Sequence, residues 1–311
     1  MSLAPFVQIV ARGKGRGRAL TFDEAQEAMA LILAGDAAPE AIGALLMVLR
    51  MRGEEPQEIA GFTAALRAHV AGNLPAADLD WPCYAAGRSR GAPLFLLAAP
   101  LVAQAGYKVS MHGWNSHQAS AASLRAALPL AGPAVQYHAL EDLSPAAFDL
   151  LRLRDVLGLR SCFNTVLRMW NPCGAPATVQ GVFHPSYRSL QAQAAEMLGQ
   201  RDLTIIKGGG GEFERHPSKE ITLFGLRDGA HIQTSAPAIH AETRRLHEVD
   251  EQIDLAAIWH GRDSHSFAVA TITGTAALAL WTLQATSDLS SAQSMAESLW
   301  AQRHQPESLS A

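Results

Sequence analysis

The feature that most constrains this chain is a change of rhythm near residue 73. Before it the signals are helical only; after it strand and helix signals alternate. Thr21 to Glu24 forms a capping box, in which each side chain can satisfy a backbone N–H of the other residue. Behind it Phe22, Ala25, Met29, Ile32 and Leu33 recur at helical spacing until Gly35 ends the run. Pro39 suits a first helical position, and Ile42, Leu45, Leu46 and Leu49 follow as an apolar face up to Gly53. Pro56 opens another helix with Ile59, Phe62, Leu66 and Val70 inward, and Gly72 closes the set.

Asn73 to Ala77 reads as a connector. Strands are expected at 79–84, 107–112, 178–184 and 203–207, and helices at 93–105, 118–128 and 187–198. That order predicts an α/β chain with an N-terminal all-helical domain and a mostly parallel central sheet flanked by helices. The expected division is 1–72 and 73–311. The arginine-rich helices near 144–170 can pack on either part. In such sheets ligands bind at the C-terminal ends of strands, beside helix N-termini.

The chain has 311 residues, enough for two cores. Its net charge of −4 excludes a global polycation, so any nucleic-acid binding needs a local basic patch. Three widely spaced cysteines, Cys83, Cys162 and Cys173, make neither a disulfide framework nor a zinc pattern and suit a reducing compartment. The apolar run 267–283 is broken by threonines and a glycine and is too short to span a bilayer, so it reads as a buried helix. The apolar start precedes its basic run, the reverse of a secretory signal. A cytoplasmic protein with no membrane partner is expected.

Four segments can carry chemistry. Gly87-Arg88-Ser89-Arg90-Gly91 lies between a strand and a helix start, where two arginines and free N–H groups suit an anion. A solvated loop is the other reading. His112, Gly113 and Asn115 end the next strand; His112 can meet phosphate or be satisfied by its own backbone. Lys207 opens four glycines whose N–H groups can form a nest for an anion. Beyond them Glu212 and Glu214, if extended, share one face and can hold Mg²⁺, or simply be solvated. Arg12, Lys14, Arg16 and Arg18 alternate with glycines, which suits phosphate backbones without sequence readout, or a solvated loop.

These residues together resemble a known family. Ile32-Leu33-Ala34-Gly35, Ala44 to Arg50, Gly53-Glu54 and Glu58 to Thr63 are similar to the helical domain of anthranilate phosphoribosyltransferases and pyrimidine nucleoside phosphorylases. His112-Gly113-Trp114-Asn115 resembles the Lys-His-Gly-Asn motif, with Met111 at the lysine. Arg154 to Asn164 resembles Arg-x-x-Leu-Gly-x-Arg-Thr-x-Phe-Asn, and Asn171-Pro172 and Gly181-Val182-Phe183 continue the likeness. The resemblance implies Arg154 and Asn164 on the acceptor side, Mg²⁺ with phosphoribosyl-pyrophosphate, and a homodimer through the helical domain.

The departures fall on the phosphate-handling residues. The family's Gly-Thr-Gly-Gly-Asp window reads Cys83-Tyr84-Ala85-Ala86-Gly87, and its Asn-x-Ser-Thr falls on Pro93-Leu94-Phe95-Leu96. Its Asp-Glu metal pair falls on Phe213-Glu214. Each charge-assisted bond lost to a phosphate costs about 1.5–3 kcal/mol, so donor binding weakens by powers of ten unless Arg88 and Arg90 compensate. In this the chain looks like the YbiB-like branch, which keeps the fold and the homodimer and is associated with nucleic-acid binding. The expected function is non-specific binding of single-stranded nucleic acid, or of another phosphate-bearing ligand, through basic loops. The alternative is an active pentosyltransferase with altered donor contacts. A metabolite-binding regulator is the third possibility.

Overall fold

A computed structural model describes residues 2–13, 15–70, 74–84, 91–114, 124–243 and 253–304. Four helices come first: α1 (Ala4–Ala11), α2 (Phe22–Leu33), α3 (Pro39–Arg52) and α4 (Pro56–His69). The expected capping box starts α2: Glu24 N–H donates to Thr21 Oγ1 at 3.2 Å and Thr21 N–H to Glu24 Oε2 at 2.9 Å. Glu58 is the polar hub of the bundle. It is fully buried, takes the Leu20 N–H at 2.9 Å and the Glu55 N–H at 2.9 Å, and holds Arg52 at 2.5 and 2.6 Å. A buried carboxylate is tolerable only when so saturated.

The rest alternates as expected, with additions. The order is β1 (Leu79–Cys83), α5 (Phe95–Gln104), β2 (Val109–Gly113), α6 (Leu124–Ala127), β3 (Val135–Ala139), α7 (Leu140–Leu143), α8 (Pro145–Leu157) and α9 (Phe163–Arg168). Then come β4 (Ala177–Val182), α10 (Tyr187–Met197), β5 (Asp202–Lys207), β6 (Ile221–Arg227), β7 (Ala230–Ala236), α11 (Leu255–Trp259), α12 (Ser266–Thr282) and α13 (Leu289–Gln302). One seven-stranded sheet runs β3-β2-β1-β4-β5-β6-β7. The first five strands are parallel, and β6 and β7 are antiparallel. Strand order reverses between β1 and β4, so their C-terminal ends form the crevice where such sheets bind ligands.

Two apolar clusters cover the two faces. Leu79, Trp81, Met111, Val179 and Ile206 pack under α5, α12 and α13. Leu203 and Ile205 point the other way, to α10 and the helical bundle. Helices α8 and α9 join that second cluster through Leu150, Leu151, Phe163 and Val166, so the arginine-rich stretch lies against α1–α4. Arg67 of α4 fixes this contact by donating to the carbonyls of Trp170 at 2.7 Å and Met169 at 2.9 Å beyond the end of α9. The run read as a buried helix is α12, where Thr271, Thr275 and Thr282 donate to carbonyls one turn back and so bury their hydroxyls. Among the described residues no helix is long and apolar enough to cross a membrane.

Three strands were not expected. The β6–β7 hairpin turns on Asp228-Gly229, both at positive φ (49° and 79°). Asp-Gly is the strongest short hairpin signal and marks this one in the sequence. Edge strand β3 has only one buried residue, Val135, and so no alternating pattern to read. The extended reading of 212–214 is corrected: Gly209–Gly211 forms a tight turn, and Glu214 N–H closes onto the Glu212 carbonyl at 2.9 Å.

Candidate functional site

At the reversal of strand order the protein's own side chains fill the crevice. His112, on β2, is fully buried. Its Nδ1 lies 2.7 Å from the Tyr84 hydroxyl just past β1. Its Nε2 lies 3.2 Å from Asp80 Oδ1, out of line for a hydrogen bond. Thr178 of β4 donates to the other Asp80 oxygen at 2.9 Å. Burial pushes the Tyr84 phenol well above its ordinary pKa, so the hydroxyl keeps its proton and donates it to Nδ1. The indole of Trp170 meets the His112 ring edge-on at 5.8 Å. His112 is thus held by side chains, not by its own backbone. Gly113 beside it serves a close backbone approach, since a Cβ there would stand 1.9 Å from the Cys83 carbonyl oxygen.

On the other face the start of α5 is closed as well. Phe95 N–H donates to Glu214 Oε2 at 2.9 Å, and the carboxylate is fully buried. Leu96 N–H and Leu97 N–H bond to the carbonyls of Pro93 and Leu94, each at 3.0 Å. The donors that a helix start offers to an anion are therefore used within the chain. Trp81, Phe95 and Phe213 pack as a ring cluster around them, at 6.5 Å and 5.5 Å between centroids. Cys83 donates to the His112 carbonyl at 3.2 Å, and burial raises its pKa well above the usual range. Burial raises Cys162 and Cys173 too, so none of the three supplies a thiolate near neutral pH.

The family model for the glycosyl transferase family helical bundle domain matches residues 9–70. The anthranilate phosphoribosyltransferase of Desulfitobacterium hafniense (strain DSM 10664 / DCB-2) is 32% identical over 235 residues, covering 69% of this chain and 67% of that protein. That of Rubrobacter xylanophilus is 33% identical over 232 residues, covering 69% and 66%. The chain belongs to the anthranilate phosphoribosyltransferase family. The alignments span about two thirds of these relatives' length. The fold of the Thermus thermophilus enzyme superposes with a TM-score of 0.75 at 22% identity, over 97% of this chain and 95% of that one. The Saccharomyces cerevisiae enzyme in complex with PRPP and Mg gives a TM-score of 0.71 at 15% identity, over 97% and 95%.

The residues present fit the family's donor and metal poorly. At the position of the acidic metal pair Phe213 lies in the apolar core, and one Glu214 oxygen is held by Phe95 N–H. Glu212 is buried in the field of Arg168 and Cys83. Among the described residues no three His, Cys, Asp or Glu side chains converge as metal ligands.

The remaining expected site residues divide into groups. Arg88, Ser89, Arg90, Gly87, Asn115 and Lys14 lie outside the described residues. Gly91 enters α5 with φ 85°. Lys207, Gly208 and Glu214 line one pocket of about 340 Å³ with Arg188, His216 and Lys219, so the lysine and one glutamate do share a site. Arg154 lies 3.6 Å from Asp155. Asn164 faces a second cleft, beside Arg160 and Arg168. Arg12 and Arg16 are exposed where the basic segment folds back on α1, while Arg18 holds Glu24 at 2.6 Å through both guanidinium nitrogens. Sequence reasoning missed Asp80, Tyr84 as a partner of His112, and Arg168. A buried Asp-x-x-x-Tyr on the first strand was the available signal for the first two.

Proposed function

We propose that this chain is a phosphoribosyltransferase-fold protein of the YbiB-like branch that binds polyanions, single-stranded nucleic acid above all, and does not transfer phosphoribosyl groups. One observation carries the reading: the Glu214 carboxylate sits on the Phe95 N–H at the start of α5, where the family motif puts a donor phosphate. A second anion there meets a buried negative charge in place of free donors. The binding surface is centred on Arg12 and Arg16, both exposed, and the sequence supplies further cations for it in Lys14, Arg88 and Arg90. Each arginine or lysine engaged on a phosphate releases counterions, which gives affinity without sequence preference. A homodimer through the helical bundle doubles the number of such segments on one particle.

Titration of a fluorescent single-stranded oligonucleotide at several salt concentrations tests this. We expect binding at low salt, with log affinity falling at about −0.7 per phosphate contact. No binding at low salt, or an affinity flat in salt, removes the reading.

One feature favours the alternative of a transferase with altered donor contacts using phosphoribosyl-pyrophosphate and Mg²⁺. The pocket lined by Lys207, Arg188 and Lys219 also holds Glu214 and Glu220, so cations for phosphate and carboxylates for a metal ion share one lining. Binding of that donor in the presence of Mg²⁺ separates the two.

A further inference from the structure

A second cleft, of about 250 Å³, opens where the end of β4 meets α9, the start of α10 and the last turn of α3. Three arginines line it, Arg50, Arg160 and Arg168, and no aspartate or glutamate is among its described lining residues. Arg168 is 6% exposed. Its Nη1 reaches the Asn164 carbonyl at a long 3.4 Å, and its Nη2 is buried with no hydrogen-bond partner. Gln191, 1% exposed, brings a side-chain oxygen to the same cleft that also has no partner.

A buried guanidinium with an unused donor is costly to leave so, and the cost falls when an acceptor arrives. The neighbouring charges add to it. Arg160 is half-buried in the fields of Arg154 and Arg50, and Arg168 is in the field of Arg160, so these charges lower the pKa values of Arg160 and Arg168 after the desolvation that leads the effect. Glu212 opposes this at Arg168. Tyr187, at the rim, donates its hydroxyl hydrogen bond to Glu54 Oε2 at 2.7 Å, and Glu54 is not among the lining residues. At the mouth Phe183 is 50% exposed and lies 4.9 Å from the His184 ring, a face on which a sugar or base can rest.

We propose that this cleft is a phosphomonoester site, in which Arg168 and Arg160 grip the phosphate and Gln191 takes a hydrogen bond from its protonated oxygen or from the sugar. The chemistry follows from arginine, whose planar fork suits phosphate better than any other cation. The volume suits one phosphorylated pentose, not a duplex. The phosphate has two possible sources, a free sugar phosphate or the 5′ end of a strand; the second rests on the polyanion reading above, the first does not.

The test is calorimetry on the full chain with ribose 5-phosphate, ribose, and one oligonucleotide carrying either a 5′-phosphate or a 5′-hydroxyl. Ribose 5-phosphate is expected to bind and ribose not to. Arg160→Gln and Arg168→Met are each expected to weaken binding about ten-fold or more, or ~1.4 kcal/mol. Arg160 is only half-buried, so its variant keeps the test valid if the Arg168 variant does not fold. A strand source gives tighter binding of the 5′-phosphorylated oligonucleotide, abolished in Arg160→Gln; a sugar-phosphate source gives no difference between the two oligonucleotides. The proposal is overturned if neither ribose 5-phosphate nor the 5′-phosphate shows an effect, or if Arg160→Gln leaves both unchanged. Strand binding without end preference and without ribose 5-phosphate binding overturns it while sparing the polyanion reading. Ribose 5-phosphate binding without strand binding does the reverse.

Discussion

The Tyr84 hydroxyl and His112 Nδ1 lie 2.7 Å apart across 28 residues of sequence, and neither side chain reaches solvent. This bond joins the ends of β1 and β2 beside the crevice where the strand order reverses. It makes His112 a structural group. Tyr84→Phe removes the donor and leaves a buried ring nitrogen unsatisfied. We expect a loss of about 1–3 kcal/mol in urea unfolding, with little change in nucleic-acid affinity. A neutral variant would show that His112 finds water there and is open to ligands.

The Arg18–Glu24 pair gives a pH signature. The Arg18 hydrogen bonds lower the Glu24 pKa to about 2, with the Thr21 N–H adding to the effect. A carboxylate whose folded pKa is depressed contributes stability above its unfolded pKa and loses it as pH falls toward the folded one. Arg18 is 54% exposed, so solvent screens the pair and the effect on stability is small. Glu24→Gln is expected to destabilise slightly at pH 7 and to match the parent near pH 2, in thermal melts across that range.

Met51 on α3 and Val156 on α8 are 81% and 80% exposed, and the two helices are neighbours, with Leu157 reaching to 3.8 Å of a Cβ built at Gly43. Apolar side chains this exposed on adjacent helices suit a covered face. Light scattering is expected to find a dimer for the parent chain and a monomer for Met51→Glu/Val156→Glu. An unchanged mass in the double variant would place the dimer contact elsewhere.

Arg12 and Arg16 are the described cations of the basic segment left for a polyanion, since Arg18 is held by Glu24. Arg12→Gln/Arg16→Gln is expected to reduce the salt slope for single-stranded DNA by about 1.4, or 0.7 per lost contact. The same slope in parent and variant would assign binding to other cations. Arg18→Gln is expected to change stability more than slope.

What could be read from the sequence divides by the range of the interaction. Caps and helix stops act within four residues, so α2, α3 and α4 were legible from Thr21, Gly35, Pro39, Gly53 and Pro56. The parallel sheet was legible because strand and helix signals alternate after residue 73. The site was less so. Glu212 and Glu214 read as one face of an extended segment, but Gly208 lets the chain turn so tightly that a Cβ there would overlap the Glu212 carbonyl oxygen at 1.6 Å. Arg168 sits in an arginine-rich helical stretch that reads only as able to pack on either part. In the structure it is buried and shares a cleft with Val182 at the end of β4 and Gln191 of α10, both later in the chain.

Calorimetry with phosphoribosyl-pyrophosphate and Mg²⁺ tests the central claim most directly, that protein groups have closed the donor's seat at the start of α5. No saturable heat is expected at about 1 mM donor. Micromolar binding, or consumption of the donor with anthranilate at ordinary turnover, would contradict it.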